Sequence, residues 1–230
     1  MVFAKLLFDS QPKFKPEMSL IMRSFWSLLI LLLLINFNFK KVMYDSVNKS
    51  DYPFLLFKTF SSTLIQIINM FSSKYIPLTI IGVVNNLSPM VTVLLAFLFL
   101  GERLRVLDLV LLGLLAAGIF TIVLGASKTA NPQEKTISQA PWLYVALFIN
   151  PFLVASGTII SRKLKHIHEY VNAVYVNLST IIFNWLIMLT YHEKLLPVLG
   201  HFSAVDWVYT VMQGVCAVNN QVFRFKALQN

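Results

Sequence analysis

The side chains in this sequence best suited to chemistry are amides placed near a proline. Asn85, Asn86 and Ser88 stand just before Pro89, close to the middle of an apolar run that starts at Pro77 and ends at Leu100. A proline inside a helix removes one backbone donor and clashes with the carbonyl four residues back, here that of Asn85. In an apolar medium the released backbone groups need a side chain, a water or a bound solute as partner. Amides suit that task because each one both donates and accepts. Gln66 and Asn69 in one apolar run, and Gln213, Asn219, Asn220 and Gln221 in another, extend the same chemistry. The plainer use of such residues is hydrogen bonding between helices.

A second group is cationic. Lys5, Arg23, Lys58, Lys74, Arg224 and Lys226 fall within a turn or so of expected helix ends, where long side chains reach the membrane interface. Fixed positive charge also suits an anionic solute, and F-x-x-K occurs twice, as Phe71/Lys74 and Phe223/Lys226. Asp206 opens an expected helix and reads as a favourable charge at its N-terminus. His166 and His168 lie beside Lys163 and Lys165 without a third metal ligand, so contact with lipid headgroups is expected rather than a metal. Cys216 is the single cysteine and reads as a small packed side chain. No apolar run holds a His or acid cluster with ligand spacing, no G-x-S-x-G occurs, and no phosphate-binding glycine loop is present. Neither an enzyme nor a cofactor is therefore expected, and no residue is assigned a catalytic or metal-binding role.

The elements that must position these residues are apolar. The chain is 57% hydrophobic and 13% charged, with a mean hydropathy of +0.70, which is not the composition of a soluble domain. Seven stretches lack Asp, Glu, Lys and Arg: 24–39, 59–73, 75–101, 109–127, 136–161, 170–191 and 207–223. Each, with a flanking residue or two, approaches the ~30 Å of bilayer hydrocarbon as a helix. A β-barrel would need alternating patterns, which are absent. The formal net charge is +9, but the Lys and Arg residues sit mostly in connectors rather than on one helical face, so nucleic acid is not expected as a partner. The expected partners are the lipid bilayer and a small-molecule substrate, with a homodimer as a further candidate assembly.

Helices are expected near 18–39, 53–74, 77–100, 106–126, 141–161, 170–191 and 205–226. A shift of 152 residues lays 18–39 on 170–191 and 53–74 on 205–226 without gaps, and sets Phe71 and Lys74 on Phe223 and Lys226. Residue identity at this offset is low; the shared polarity profile and the repeated F-x-x-K carry the repeat. Internal repeats of this kind mark transporter architecture. The fold class expected is all-α, a polytopic membrane bundle built as an inverted five-plus-five helix repeat. Residues 1–126 form the first repeat (a remnant of helix 1, then helices 2 to 5), 127–140 a non-cytoplasmic connector, and 141–230 an incomplete second repeat (helices 6 to 8). Helix 1 is expected to be partial and helices 9 and 10 to lie beyond Asn230. With a cytoplasmic N-terminus, cytoplasmic connectors hold ten Lys and Arg residues against six on the other side, which favours that orientation.

The stretch SSKYIPLTIIGVVNNLSPMVTVLLAFLFLGERLRVLDLVLLGLLAAGIFTIVLG resembles the drug/metabolite transporter superfamily, in its EamA-type and nucleotide-sugar-like branch. The resemblance rests on Tyr75-Ile76-Pro77, Leu87-Ser88-Pro89, Leu100-Gly101-Glu102-Arg103 and the small residues from Gly113 to Gly125, with Arg23 and Lys5 also fitting the pattern. It implies ten helices, cytoplasmic termini, and movement of a small polar metabolite such as a nucleotide sugar, a sugar phosphate or an amino acid. Gln66, Asn69, Lys74, Asn85, Asn86, Ser88, Asn219, Asn220 and Lys226 are the candidate substrate-binding residues, with Pro89 as the helix break. Two other readings stay open: a receptor-like seven-helix protein, and a membrane subunit that does not transport.

Overall fold

The computed structural model describes residues 2–11, 13–35, 47–100, 110, 112–114, 117–118, 121, 141–164, 166–192 and 195–229. The main helices are α1 (Val2–Ser10), α2 (Pro16–Leu34), α3 (Tyr52–Tyr75), α4 (Leu78–Asn85), α5 (Ser88–Leu100), α6 (Pro141–Lys163), α7 (Glu169–Thr190), α8 (Leu195–Leu199) and α9 (Ala204–Gln229). No strand occurs among the described residues.

Prolines set several of the boundaries. Pro16 and Pro53 open α2 and α3, where a missing N–H costs nothing because the first turn has no acceptor for it. Ile76 is held in an extended conformation just before Pro77, which the proline ring favours over helix, and α3 stops there. The expected helix at 77–100 is two helices. At the break, Ser88 Oγ donates to the Asn85 carbonyl at 2.6 Å, supplying the hydrogen bond that Pro89 lacks the N–H to make.

Among the described residues, five segments are long and apolar enough to cross a membrane: Pro16–Leu34, Lys49–Tyr75, Leu78–Leu95, Val145–Lys163 and Tyr170–Thr190. The helix expected near 205–226 forms, as part of the 26-residue α9, but its amides keep it out of this apolar set. Most of the helix expected near 106–126 lies outside the described residues.

Polarity is inverted relative to a soluble protein. Large apolar side chains such as Phe25, Leu33, Phe57, Phe60, Phe148, Phe152, Trp185 and Leu186 are exposed, while Ser19, Ser27, Thr63, Asn150, Asn177, Thr180 and Asn184 are buried. An apolar exterior around a hydrogen-bonded polar interior is what lipid as solvent selects.

Two helices that the 152-residue shift superposes, α2 and α7, pack against each other. Met188 near the end of α7 joins Met18, Leu20, Ile21 and Met22 at the start of α2, whereas Ala173 and Val174 near the start of α7 join Leu31 and Ile35 at the end of α2. The two equivalent helices are thus antiparallel. Contacts also come in exchanged pairs: α2 with α9 and α7 with α3, α1 with α9 and α6 with α3, α2 with α3 and α7 with α9.

Where α2 crosses α9, the backbones nearly touch. A methyl group on Gly214 would meet Trp26 Cβ at 2.5 Å, and the Gly214 carbonyl accepts a hydrogen bond from Ser27 Oγ at 3.1 Å. Glycine at this position is what permits the approach.

Candidate functional site

The helices line a partly open cavity of about 890 Å³, bordered by α1, α2, α3, α6, α7, α9 and the α4–α5 break. Its size lies toward the upper end of small-molecule sites, roughly 300–1,000 Å³. Of the residues singled out from the sequence, Gln66, Asn69, Asn85, Asn86, Ser88, Asn220 and Pro89 line it. Gln213 and Gln221, noted with them, line it too.

Three of the candidates stand elsewhere. Lys74 lies over the Phe8 ring, 5.6 Å from its centroid, and its Nζ donates to the Phe14 carbonyl at 3.4 Å, so it ties the end of α3 to the α1–α2 corner. Asn219 and Lys226 are exposed on α9 and do not line the cavity. The repeated F-x-x-K therefore sits in unlike surroundings in the two halves, because a sequence offset fixes position along a helix but not what packs against it.

At the break, three amides form one node. Asn85 Nδ2 and Asn150 Nδ2 each donate to Asn69 Oδ1 at 3.1 Å, and Asn150 Nδ2 also donates to Asn85 Oδ1 at 2.7 Å. The node joins α3, α4 and α6 directly beneath the interrupted backbone. Asn150 is fully buried and precedes Pro151, the proline inside α6. Sequence reading did not single it out. The signal was present, since Asn150-Pro151 repeats in α6 the amide-and-proline combination of α4.

Two cations also line the cavity, Arg23 from α2 and Lys58 from α3. Arg23 Nη2 donates to Gln66 Oε1, and Arg23 Nε is buried without a protein partner. Lys58, 5% exposed, donates to Ser161 Oγ, which in turn donates to the Gly157 carbonyl at 2.7 Å. Both cations line the cavity rather than reaching out to the interface as their positions near helix ends suggested. Asn172 Oδ1 and Gln213 Nε2, on residues of the same lining, are also buried without protein partners.

The remaining polar groups noted in the sequence have structural roles. Ser203 and Asp206 form a reciprocal cap on α9: Ser203 N donates to Asp206 Oδ2 at 3.0 Å and Asp206 N donates to Ser203 Oγ at 3.3 Å. His166 Nε2 lies 2.7 Å from Asp51 Oδ2, and the His168 ring accepts from the Tyr170 N–H at 3.3 Å at the start of α7. The two histidines thus engage protein groups where lipid headgroups were expected. Cys216 is exposed and lines the cavity; it is not the packed side chain expected from sequence.

An apolar exterior, a bundle of antiparallel equivalent helices and an amide-rich cavity at a broken helix define an integral, multi-pass membrane protein of transporter type. The sequence profile of the EamA-like transporter family matches residues 1–124, more than half of the chain, and the chain belongs to that family of membrane transporters for small solutes. No protein of curated function matches it.

Proposed function

We propose that the protein carries a small polar metabolite across the bilayer by alternating access, with two halves of opposite orientation rocking around the central cavity. The observation that carries this reading is the junction of Asn69, Asn85 and Asn150 at the α4–α5 break, on the wall of a cavity shared by both halves. A broken helix at the repeat interface is where secondary transporters hold their substrates. Gln66, Asn69, Asn85, Asn86, Ser88 and Asn220 face the solute in this scheme, offering paired donors and acceptors to hydroxyl, amide or phosphate groups. The excess of Lys and Arg on one set of connectors supports a cytoplasmic N-terminus. Binding energy shifts the population between inward-open and outward-open forms.

The test is uptake of labelled nucleotide sugars, sugar phosphates and amino acids into proteoliposomes holding the purified protein. Saturable uptake of at least one compound is expected, and its absence across a broad panel would overturn the proposal.

A further inference from the structure

The two cations of the cavity have no counterpart at the positions that the repeat pairs with them. The 152-residue shift sets Tyr175 at the position of Arg23 and Thr210 at that of Lys58, so the charge belongs to one half only. No Asp or Glu occurs among the described residues lining the cavity. Burying a guanidinium within a membrane bundle is costly unless it is paired or used. Gln66 Oε1, the acceptor for Arg23, is neutral and engages one of the five N–H donors that a guanidinium carries, and Nε is left without a protein partner.

We infer that the cavity takes a small organic anion, a carboxylate or phosphate monoester, whose oxygens bind Arg23 while its polar body meets the amides of α3, α4 and α9. This assignment deepens the transport reading and rests on it. A planar guanidinium matches the two oxygens of a carboxylate or phosphate in a way no amide does. Gln66 then acts as a positioning residue, holding the guanidinium plane, and Lys58 adds a second positive charge to the lining. A neutral solute can accept hydrogen bonds from the guanidinium but brings no charge to offset it, so an oxyanion binds it more strongly.

Cys216, the one cysteine of the chain, shares this cavity with Arg23 and reports its potential without any need to identify the substrate. The thiol of the purified protein is modified with anionic 2-sulfonatoethyl and with cationic 2-trimethylammonioethyl methanethiosulfonate, each rate being divided by that for free cysteine. The normalised anion-to-cation ratio is expected to be about tenfold in favour of the anion, as fields focused in clefts produce. It should fall toward unity in R23Q and persist in R23K. Added inorganic phosphate or acetate should slow modification of the native protein, the more effective of the two identifying the preferred oxyanion, while glycerol should leave the rate unchanged. A ratio at or below unity in the native protein, or equal slowing by glycerol, overturns the inference; the native protein alone decides, whether or not R23Q folds. Because the readout needs no flux, a cationic cavity in a protein that moves nothing, or flux of neutral solutes through an uncharged one, separates failure of this inference from failure of the transport reading.

Discussion

Gln11 Nε2 donates to Asp206 Oδ2 at 3.1 Å, joining the end of α1 to the start of α9. The residues that the 152-residue shift pairs with these are Lys163 and Phe54, and they also meet, with Lys163 Nζ 5.2 Å from the Phe54 ring centroid. The chemistry differs, an amide on a carboxylate in one case and a cation on an aromatic face in the other, while the seam is the same. A second near-match lies deeper: Ser27 Oγ bonds Gly214 O, and Ser179, its equivalent, bonds Thr63, next to the equivalent of Gly214, Ser62. Together with the antiparallel run of α2 and α7, these pairs support two halves related by a two-fold operation, the geometry that lets one fold open to either side.

The α2–α9 crossing is expected to tolerate nothing larger than glycine. In G214A the new methyl meets Trp26 Cβ, which cannot rotate away, so stability should fall by about 1–3 kcal/mol, as overpacking does. S27A removes one hydrogen bond across the same contact and should cost only about 0.6 kcal/mol. Thermal unfolding in detergent checks both; a neutral G214A would mean that the helices do not approach as closely as described.

The α4–α5 break is expected to trade stability for turnover. P89A restores the N–H that can donate to the Asn85 carbonyl, and should raise the unfolding temperature while slowing uptake. S88A instead strips that carbonyl of its present donor and should cost about 1 kcal/mol, while S88T, which keeps the hydroxyl, should stay close to the native protein. Paired measurements of unfolding temperature and uptake rate read all three.

The amide node makes Asn150 the most sensitive buried polar position. N150L keeps the branched heavy-atom skeleton, although bulkier, and leaves Asn69 Oδ1 with one donor fewer and Asn85 Oδ1 with none from α6. Stranded acceptors of this kind cost about 1–3 kcal/mol. Loss of stability together with a raised KM for the transported solute is expected, and unchanged values for both would remove the node from the account.

Much of the fold was legible because charge-free runs and prolines act locally. The helix expected at 53–74 is observed at Tyr52–Tyr75, and that expected at 170–191 at Glu169–Thr190. The site was only partly legible. Asn85, Asn86 and Ser88 announced themselves by standing next to Pro89, but Arg23 and Lys58 looked like interfacial cations because sequence gives depth along a helix and not the face that is buried. Their inward placement follows from tertiary packing, as does the separation of Lys74 from the cavity by its contacts with Phe8 and Phe14. Asn150 was missed for a related reason: its partners Asn69 and Asn85 are distant in sequence and meet it only through the antiparallel packing of α3 and α6.

Cys216 decides whether one cavity opens in turn to the two faces of the membrane. In sealed vesicles of defined orientation, a membrane-impermeant maleimide is applied to the outer face alone, and in a parallel preparation to the inner face alone. Cys216 is expected to be modified from either face, each to completion, as the protein passes between its two open forms. Modification confined to one face, however long the exposure, would contradict it.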